Sequence, residues 1–320
     1  MRTIDLFSGC GGLSLGFETA GFEIVSAFDK WKEACDVYSA NFTHPVFQID
    51  LSDVEDVGQF KEWKPDIIIG SPPCQDFSSA GKRDESLGRA DLTISYARIV
   101  SKVKPEWFLM ENVERIRKSR VLQEAFSILK KSGYGLSSVV LNASYCGVPQ
   151  TRKRFILVGH LHSDDGFINE YCVRNQANTS MTVYDYLGEK LGCEFYYRHP
   201  RSYARRGIFS IYEPSATIRG VNRPIPKNYK RHEGDPCDPK DARPLTTQER
   251  SYLQTFPEDF KWTGTKTSIE QMIGNAVPVK LGQHIADCLF QYVRSGSSDT
   301  RGIGKKQLEL FEMAHIKNFK

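Results

Sequence analysis

Along its first half the chain alternates short apolar runs with longer stretches in which apolar residues recur every three or four positions. The short runs predict strands over residues 3–7, 23–28, 46–50, 66–71, 107–112, 138–142 and 154–160. The longer stretches predict helices over residues 13–20, 32–41, 54–63, 92–103 and 121–131, with Gly21 as the stop of the first. This rhythm implies a doubly wound, mainly parallel, seven-stranded Rossmann-like sheet. No long helix separates the last two strands, so they can pair antiparallel. Beyond about residue 163 the rhythm is lost, and the chain becomes rich in Arg, Tyr, Pro and Asn to about residue 246, with strand-like pieces at 207–212 and 216–219. Helical patterns return at 247–254 and 279–292. From Ser295 the composition is that of a linker, with a short helix expected at 308–314. The division that follows is a catalytic domain of residues 1–163 plus 247–320, and a smaller irregular domain of residues 164–246.

Composition narrows the class. Charged residues make up 26% of the 320 and no apolar run approaches the length of a membrane span, so an intracellular globular protein is expected. The start, Met1-Arg2-Thr3-Ile4-Asp5, lacks the apolar stretch of a signal peptide. The eight cysteines are scattered, the closest pair being Cys172 and Cys193, so neither a zinc cluster nor a dithiol redox site is suggested. Net charge is only +4, yet residues 198–232 hold nine Lys/Arg against the single acid Glu213. Aromatic residues are interleaved there (Tyr203, Phe209, Tyr212 and Tyr229, with Tyr197 just ahead). That favours a nucleic-acid partner over a merely solvated basic face.

The candidate chemistry lies at the ends of predicted strands. The first strand runs into Asp5-Leu6-Phe7-Ser8-Gly9-Cys10-Gly11-Gly12, a glycine turn that lets backbone approach a ligand. Asp29 closes the second strand, where an acid can bond ribose hydroxyls. A dinucleotide fingerprint fails, because Ser14 stands where a third glycine is required. The fourth strand leads to Gly70-Ser71-Pro72-Pro73-Cys74-Gln75-Asp76-Phe77-Ser78. A cysteine on a proline-stiffened loop at the ligand edge of such a sheet reads as a nucleophile. Residues 76–91, mixing Ser, Gly, Lys and Arg, read as a lid. Glu111 emerges from a buried run and can serve as an acid. Gln150-Thr151-Arg152-Lys153-Arg154 opens the seventh strand, and its arginines could orient Glu111, bind phosphate, or form a solvated cluster.

Across nearly its whole length the chain resembles the cytosine-5 DNA methyltransferases of bacterial restriction–modification systems. The resemblance rests on residues 5–12, Asp29, Asp50-Leu51, residues 72–78, 111–113, 150–154 and 243–249, and Gly274-Asn275-Ala276-Val277-Pro278. It implies methyl transfer from S-adenosylmethionine to carbon 5 of a flipped cytosine, leaving S-adenosylhomocysteine, with no metal. It implies that Phe7, Gly9, Gly11, Gly12, Asp29, Asp50, Leu51, Pro73 and Asn275 hold the cofactor, and that Arg243 links the two domains. Lys30 departs from the apolar or aromatic residue common at its position. Cys74, Glu111, Arg152 and Arg154 are the expected catalytic set, with both arginines at the base pocket. Gln75, Ser78, Lys82, Arg83, Arg89, Arg205, Arg206, Thr217, Arg219 and Arg223 are the expected DNA contacts. The corresponding expectations are duplex DNA as partner, a monomer, a paired restriction endonuclease, and a prokaryotic cytoplasm with nucleoid association through DNA. The alternatives are a tRNA cytosine-5 methyltransferase, a catalytically silent DNA-binding relative, and a nicotinamide dehydrogenase.

Overall fold

The computed structural model describes residues 1–73, 92–200, 202 and 205–295. Cys74, Gln75, Ser78, Lys82, Arg83, Arg89, the rest of the expected lid and the expected helix at 308–314 lie outside the described residues. The main sheet is built from β1 (Arg2–Leu6), β2 (Glu23–Asp29), β3 (Val46–Gln48), β4 (Ile67–Gly70), β5 (Trp107–Val113) and β6 (Tyr134–Asn142). After the two-residue β7 (Gln150–Thr151), β8 (Lys153–Leu161) completes it, in the order β3-β2-β1-β4-β5-β8-β6. The five strands from β3 to β5 run parallel. β8 inserts antiparallel between β5 and β6, as the missing crossover helix allowed.

Both faces of the sheet are covered, so β4 is apolar on both sides, while β1 buries Thr3 and Asp5 on one face and Ile4 and Leu6 on the other. Helices α1 (Gly12–Thr19), α2 (Lys32–Asn41), α3 (Gly58–Lys61), α4 (Leu92–Val103) and α5 (Arg120–Lys131) follow successive strands. One core cluster gathers Ile4, Leu6, Ile68, Tyr96, Phe108 and Leu129; another gathers Leu13, Phe17, Ile69, Leu109, Leu281 and Ile285. The helix expected at 54–63 is only the single turn α3. Asp56 Oδ1 accepts the Gly58 N–H at 2.8 Å, so a side chain competes with the helical ladder just ahead of a glycine. β6 begins earlier than its apolar run, because pairing with β8 continues through Gly135 and Ser137.

The second half contains α6 (Asn169–Arg174), α7 (Val183–Leu187), β9 (Phe195–Tyr197), β10 (Ile208–Ser210), β11 (Ser215–Ala216) and β12 (Arg243–Pro244). It continues with α8 (Thr247–Leu253), α9 (Lys266–Asn275) and α10 (Val279–Ser295). β10, β9 and β12 form a small sheet, and its core (Tyr196, Phe209, Ile218) is shared with Leu253 of α8 and Ile273 of α9. β11 pairs in parallel with β7 in a separate two-stranded sheet, tying this region to the segment that leads into β8. Among the described residues no helix is long and apolar enough to cross a membrane.

α10 lies directly against α1. A Cβ on Gly16 would sit 2.5 Å from the Val279 carbonyl oxygen and 2.7 Å from the Gln283 nitrogen, both backbone atoms that cannot swing aside. Gly16→Ala gains about 1 kcal/mol in helix propensity. The overpacking still outweighs this, and a net loss of roughly 1–2 kcal/mol is expected. The denaturant midpoint checks it; an unchanged midpoint would mean that the two helices can separate freely.

Candidate active site

In an open α/β sheet, ligands meet the carboxyl ends of the strands, where the strand order reverses. Here that point lies between β1 and β4. β1 ends in a turn with positive φ at Phe7, Gly9 and Gly11 (58°, 54° and 94°). Asp29, at the end of neighbouring β2, anchors the turn. Its Oδ2 accepts the Gly9 N–H and its Oδ1 the Trp31 N–H, each at 2.8 Å. Burial pushes the Asp29 carboxyl up from its ordinary value, and these N–H donors oppose the shift. Under the turn, Asp5 is fully buried and accepts Ser14 Oγ–H at 2.6 Å, while Ser14 accepts Tyr38 O–H at 2.7 Å. Burial raises Asp5 to about 8.

These residues fit an adenosyl ligand. Nothing lies within 4 Å of where a Gly9 Cβ would stand, so the turn is open on that side. At Gly12 a Cβ would instead run into the Val277 carbonyl oxygen, so the turn closes against the segment carrying Asn275. Asp50 and buried Leu51 follow β3, and the Asp50 carboxylate accepts the Ser52 N–H at 3.0 Å, which draws its pKa down. Lys30 places Nζ 3.7 Å from Asp50 Oδ2, so an exposed ion pair stands where an aromatic wall was the familiar alternative. Asn275 is exposed and accepts from Gln271 Nε2 at 3.2 Å.

β4 delivers Ser71, buried Pro72 and exposed Pro73 to the same edge. The Asn112 side chain donates to the Pro72 carbonyl at 3.0 Å, while its own Oδ1 accepts the Val113 N–H at 2.8 Å. Asn112 thus clamps the backbone two residues ahead of Cys74. Sequence reasoning gave Asn112 no role of its own, although a polar amide at the end of an apolar strand was a usable signal.

The antiparallel insertion of β8 explains the next contact. Val113 faces Arg154 and Glu111 faces Ile156, so Glu111 and Arg154 are diagonal neighbours on one face of the sheet. Arg154 Nε lies 2.8 Å from Glu111 Oε1, with the two side chains 13% and 8% exposed. Burial lowers the Arg154 pKa, and Glu111 opposes that shift. Arg152, only 2% exposed, points elsewhere. Its guanidinium donates to the carbonyls of Ile218 at 3.1 Å, Gly274 at 3.3 and 3.4 Å, and Ala276 at 3.0 Å. Burial and nearby Arg154 depress its pKa strongly.

The expected DNA-facing residues are spread over the small sheet and its loops. Arg205 and Arg223 are exposed. Arg206 pairs with Glu213 and lies 4.2 Å over the Phe209 ring, so part of its charge is spent within its own region. Arg219 donates to the His199 carbonyl at 2.6 Å, and Thr217 Oγ to that of Thr151 at 2.8 Å. Arg243 pairs with Glu249, which also caps α8.

A glycine turn at the switch point of a doubly wound sheet, with a buried acid–guanidinium pair on β5 and β8 of the same sheet, is the architecture of a Rossmann-like enzyme. More narrowly, the chain belongs to the C-5 cytosine-specific DNA methylase family, which matches residues 1–291. It is 58% identical over 298 residues to the Type II methyltransferase M.HindV of Haemophilus influenzae, covering 91% of this chain and 97% of that protein. It is 56% identical to M.HgiDI of Herpetosiphon aurantiacus, covering 92% and 95%. The fold matches that of S. pombe Dnmt2 methyltransferase with a TM-score of 0.69 at 18% identity, over 92% of this chain and 99% of the other. It matches a putative DNA modification methyltransferase encoded within an E. coli prophage with a TM-score of 0.68 at 23% identity, over 92% and 99%. The protein is a DNA cytosine-5 methyltransferase of the restriction–modification kind, in a family that uses S-adenosylmethionine.

Proposed function

We propose that methylation proceeds through a transient bond between Cys74 Sγ and carbon 6 of a cytosine swung out of duplex DNA, with Glu111 and Arg154 holding the ring. The Glu111–Arg154 contact of 2.8 Å, beside the Pro72 carbonyl clamped by Asn112, carries this reading. Carbon 5 of cytosine is a poor nucleophile. Thiolate addition at carbon 6 makes an enamine, and Glu111 in its protonated form relieves charge at ring nitrogen 3. Arg154 fixes the Glu111 carboxyl and supports the base oxygen. Bound S-adenosylmethionine supplies an electrophilic methyl carbon to the activated ring. Removal of the carbon 5 proton then expels Cys74.

The turn at Phe7, Gly9, Gly11 and Gly12 would seat the adenosyl group, with Asp29 on its ribose, Asp50, Leu51 and Pro73 around the adenine, and Asn275 at the methionine end. Flipping a base costs a few kcal/mol. Lys82, Arg83, Arg89, Arg205, Arg206, Arg219 and Arg223 would offset this on phosphates, with Gln75, Ser78 and Thr217 nearer the base. The working division is a catalytic unit of residues 1–163 plus 247–320 and a target-recognition unit of residues 164–246. The enzyme would act as a monomer in a prokaryotic cytoplasm, held to the nucleoid by DNA and paired with an endonuclease.

The cofactor half of this reading is tested at Asp29. A hydrogen bond to a charged group contributes about 1.5–3 kcal/mol, so Asp29→Ala should weaken S-adenosylhomocysteine binding roughly ten- to hundredfold. Titration calorimetry measures it; wild-type affinity in the variant would remove Asp29 from the site.

A further inference from the structure

Residues 150–152, 217–220 and 273–276 are drawn into one buried knot. Arg152 donates to Ile218 on one segment and to Gly274 and Ala276 on another. Gln150 Oε1 accepts the Ile218 N–H at 2.9 Å, while its Nε2 donates to the Leu253 carbonyl at 3.1 Å and to Gln254 Oε1 at 2.8 Å. Gln254 Nε2 in turn donates to the carbonyls of Ile273 and Ala276. The backbones meet where neither has a side chain: a Cβ on Gly274 would run into the Gly220 nitrogen. A fully buried guanidinium is an expensive way to fill space, since its charge must be desolvated without a carboxylate directly on it. It does, however, present several donors in a rigid plane, which fixes distances between the carbonyls it holds.

We propose that Arg152, supported by Gln150, is a positioning residue that sets the register between the target-recognition segment at Thr217-Ile218 and the cofactor turn at Gly274-Asn275-Ala276. This rests on the reading that Asn275 faces the methyl donor and that Thr217 lies on the base side. The base and the donor methyl are then aligned through one guanidinium that touches neither. Misplacement of reacting groups by about 1 Å can cost about a hundredfold in rate. Loss of the register should therefore affect methyl transfer far more than chemistry on the base alone.

That separation can be measured. With no methyl donor present, Cys74 Sγ can add to carbon 6 and a water proton can join carbon 5. The original hydron then leaves carbon 5 as the S–C6 bond breaks, so duplex DNA carrying 5-tritiated cytosine releases its label. In Arg152→Lys, single-turnover methylation should fall about a hundredfold while tritium release stays within about threefold of wild type. Gln150→Glu, which keeps the acceptor for Ile218 but loses both amide donors, should show the same split more weakly and serves if Arg152→Lys does not fold. Parallel loss of both rates would point to a merely structural role and overturn the proposal, as would no loss of either. No tritium release from the wild-type enzyme would strike the Cys74 mechanism first and the proposal with it.

Discussion

Cys74→Ser is expected to lower methylation of duplex DNA by roughly a thousandfold or more while leaving DNA affinity near wild type. A free thiol with a pKa of about 8.5 is a few per cent ionised at neutral pH, and its thiolate is a strong nucleophile. A serine hydroxyl at the same place is neither ionised nor soft enough to add to a pyrimidine ring. The scaffold for the attack is rigid up to the preceding residue: β4 is buried throughout, Pro72 and Pro73 restrict the backbone, and Asn112 holds the Pro72 carbonyl at 3.0 Å. Labelled methyl transfer and a binding titration on the same oligonucleotide give the two readouts. Full turnover by the serine variant would dismiss Cys74 as the nucleophile.

The second large effect is expected at Glu111. Glu111→Gln removes the proton donor while preserving shape, and methyl transfer should fall by about 10²–10⁴-fold. The substitution also leaves the Arg154 guanidinium, 13% exposed, without its counter-charge, and breaking a buried pair this way costs about 3–5 kcal/mol. A denaturant midpoint taken beside the rate keeps the two effects apart. Tritium release without methyl donor should drop along with methylation, because nitrogen 3 needs relief as soon as the thiolate adds. A variant that retained tritium release would place Glu111 after the addition step and sink the role given to it here.

Much of the sheet was legible because its central strands are buried on both faces. A run such as Ile67-Ile68-Ile69 has no other good use in a globular chain. The antiparallel pairing of β6 with β8 was legible too, from the missing helix between them. Elements failed where local chemistry or tertiary pairing overruled pattern: Asp56 unwound the start of α3, and β8 drew Gly135 and Ser137 into a strand. At the site, Glu111 and Arg154 could be guessed as partners, since both begin or end strands at one edge. Arg152 could not be read in the same way. Its carbonyl partners lie 66 to 124 residues away, and a backbone carbonyl has no signature in sequence. The same holds for Gln150, whose amide reaches Leu253 and Gln254 across more than a hundred residues.

The contact between α1 and α10 has a consequence for how the enzyme comes into being. Leu281, Ile285, Cys288 and Leu289 of α10 complete the same core as Leu13 and Phe17 of α1. The helix that follows the glycine turn at Gly9 and Gly11 is therefore covered by nearly the last described segment to leave the ribosome. Until residues 279–295 have been synthesised, the sheet face bearing Ile67, Ile69 and Leu109 lacks part of its apolar cover, and a nascent chain must wait in a partly folded state. Chains interrupted before residue 279 would be left with an exposed apolar surface and removed by cellular quality control. Methyl protection of the genome would then come only from molecules whose translation had passed residue 295.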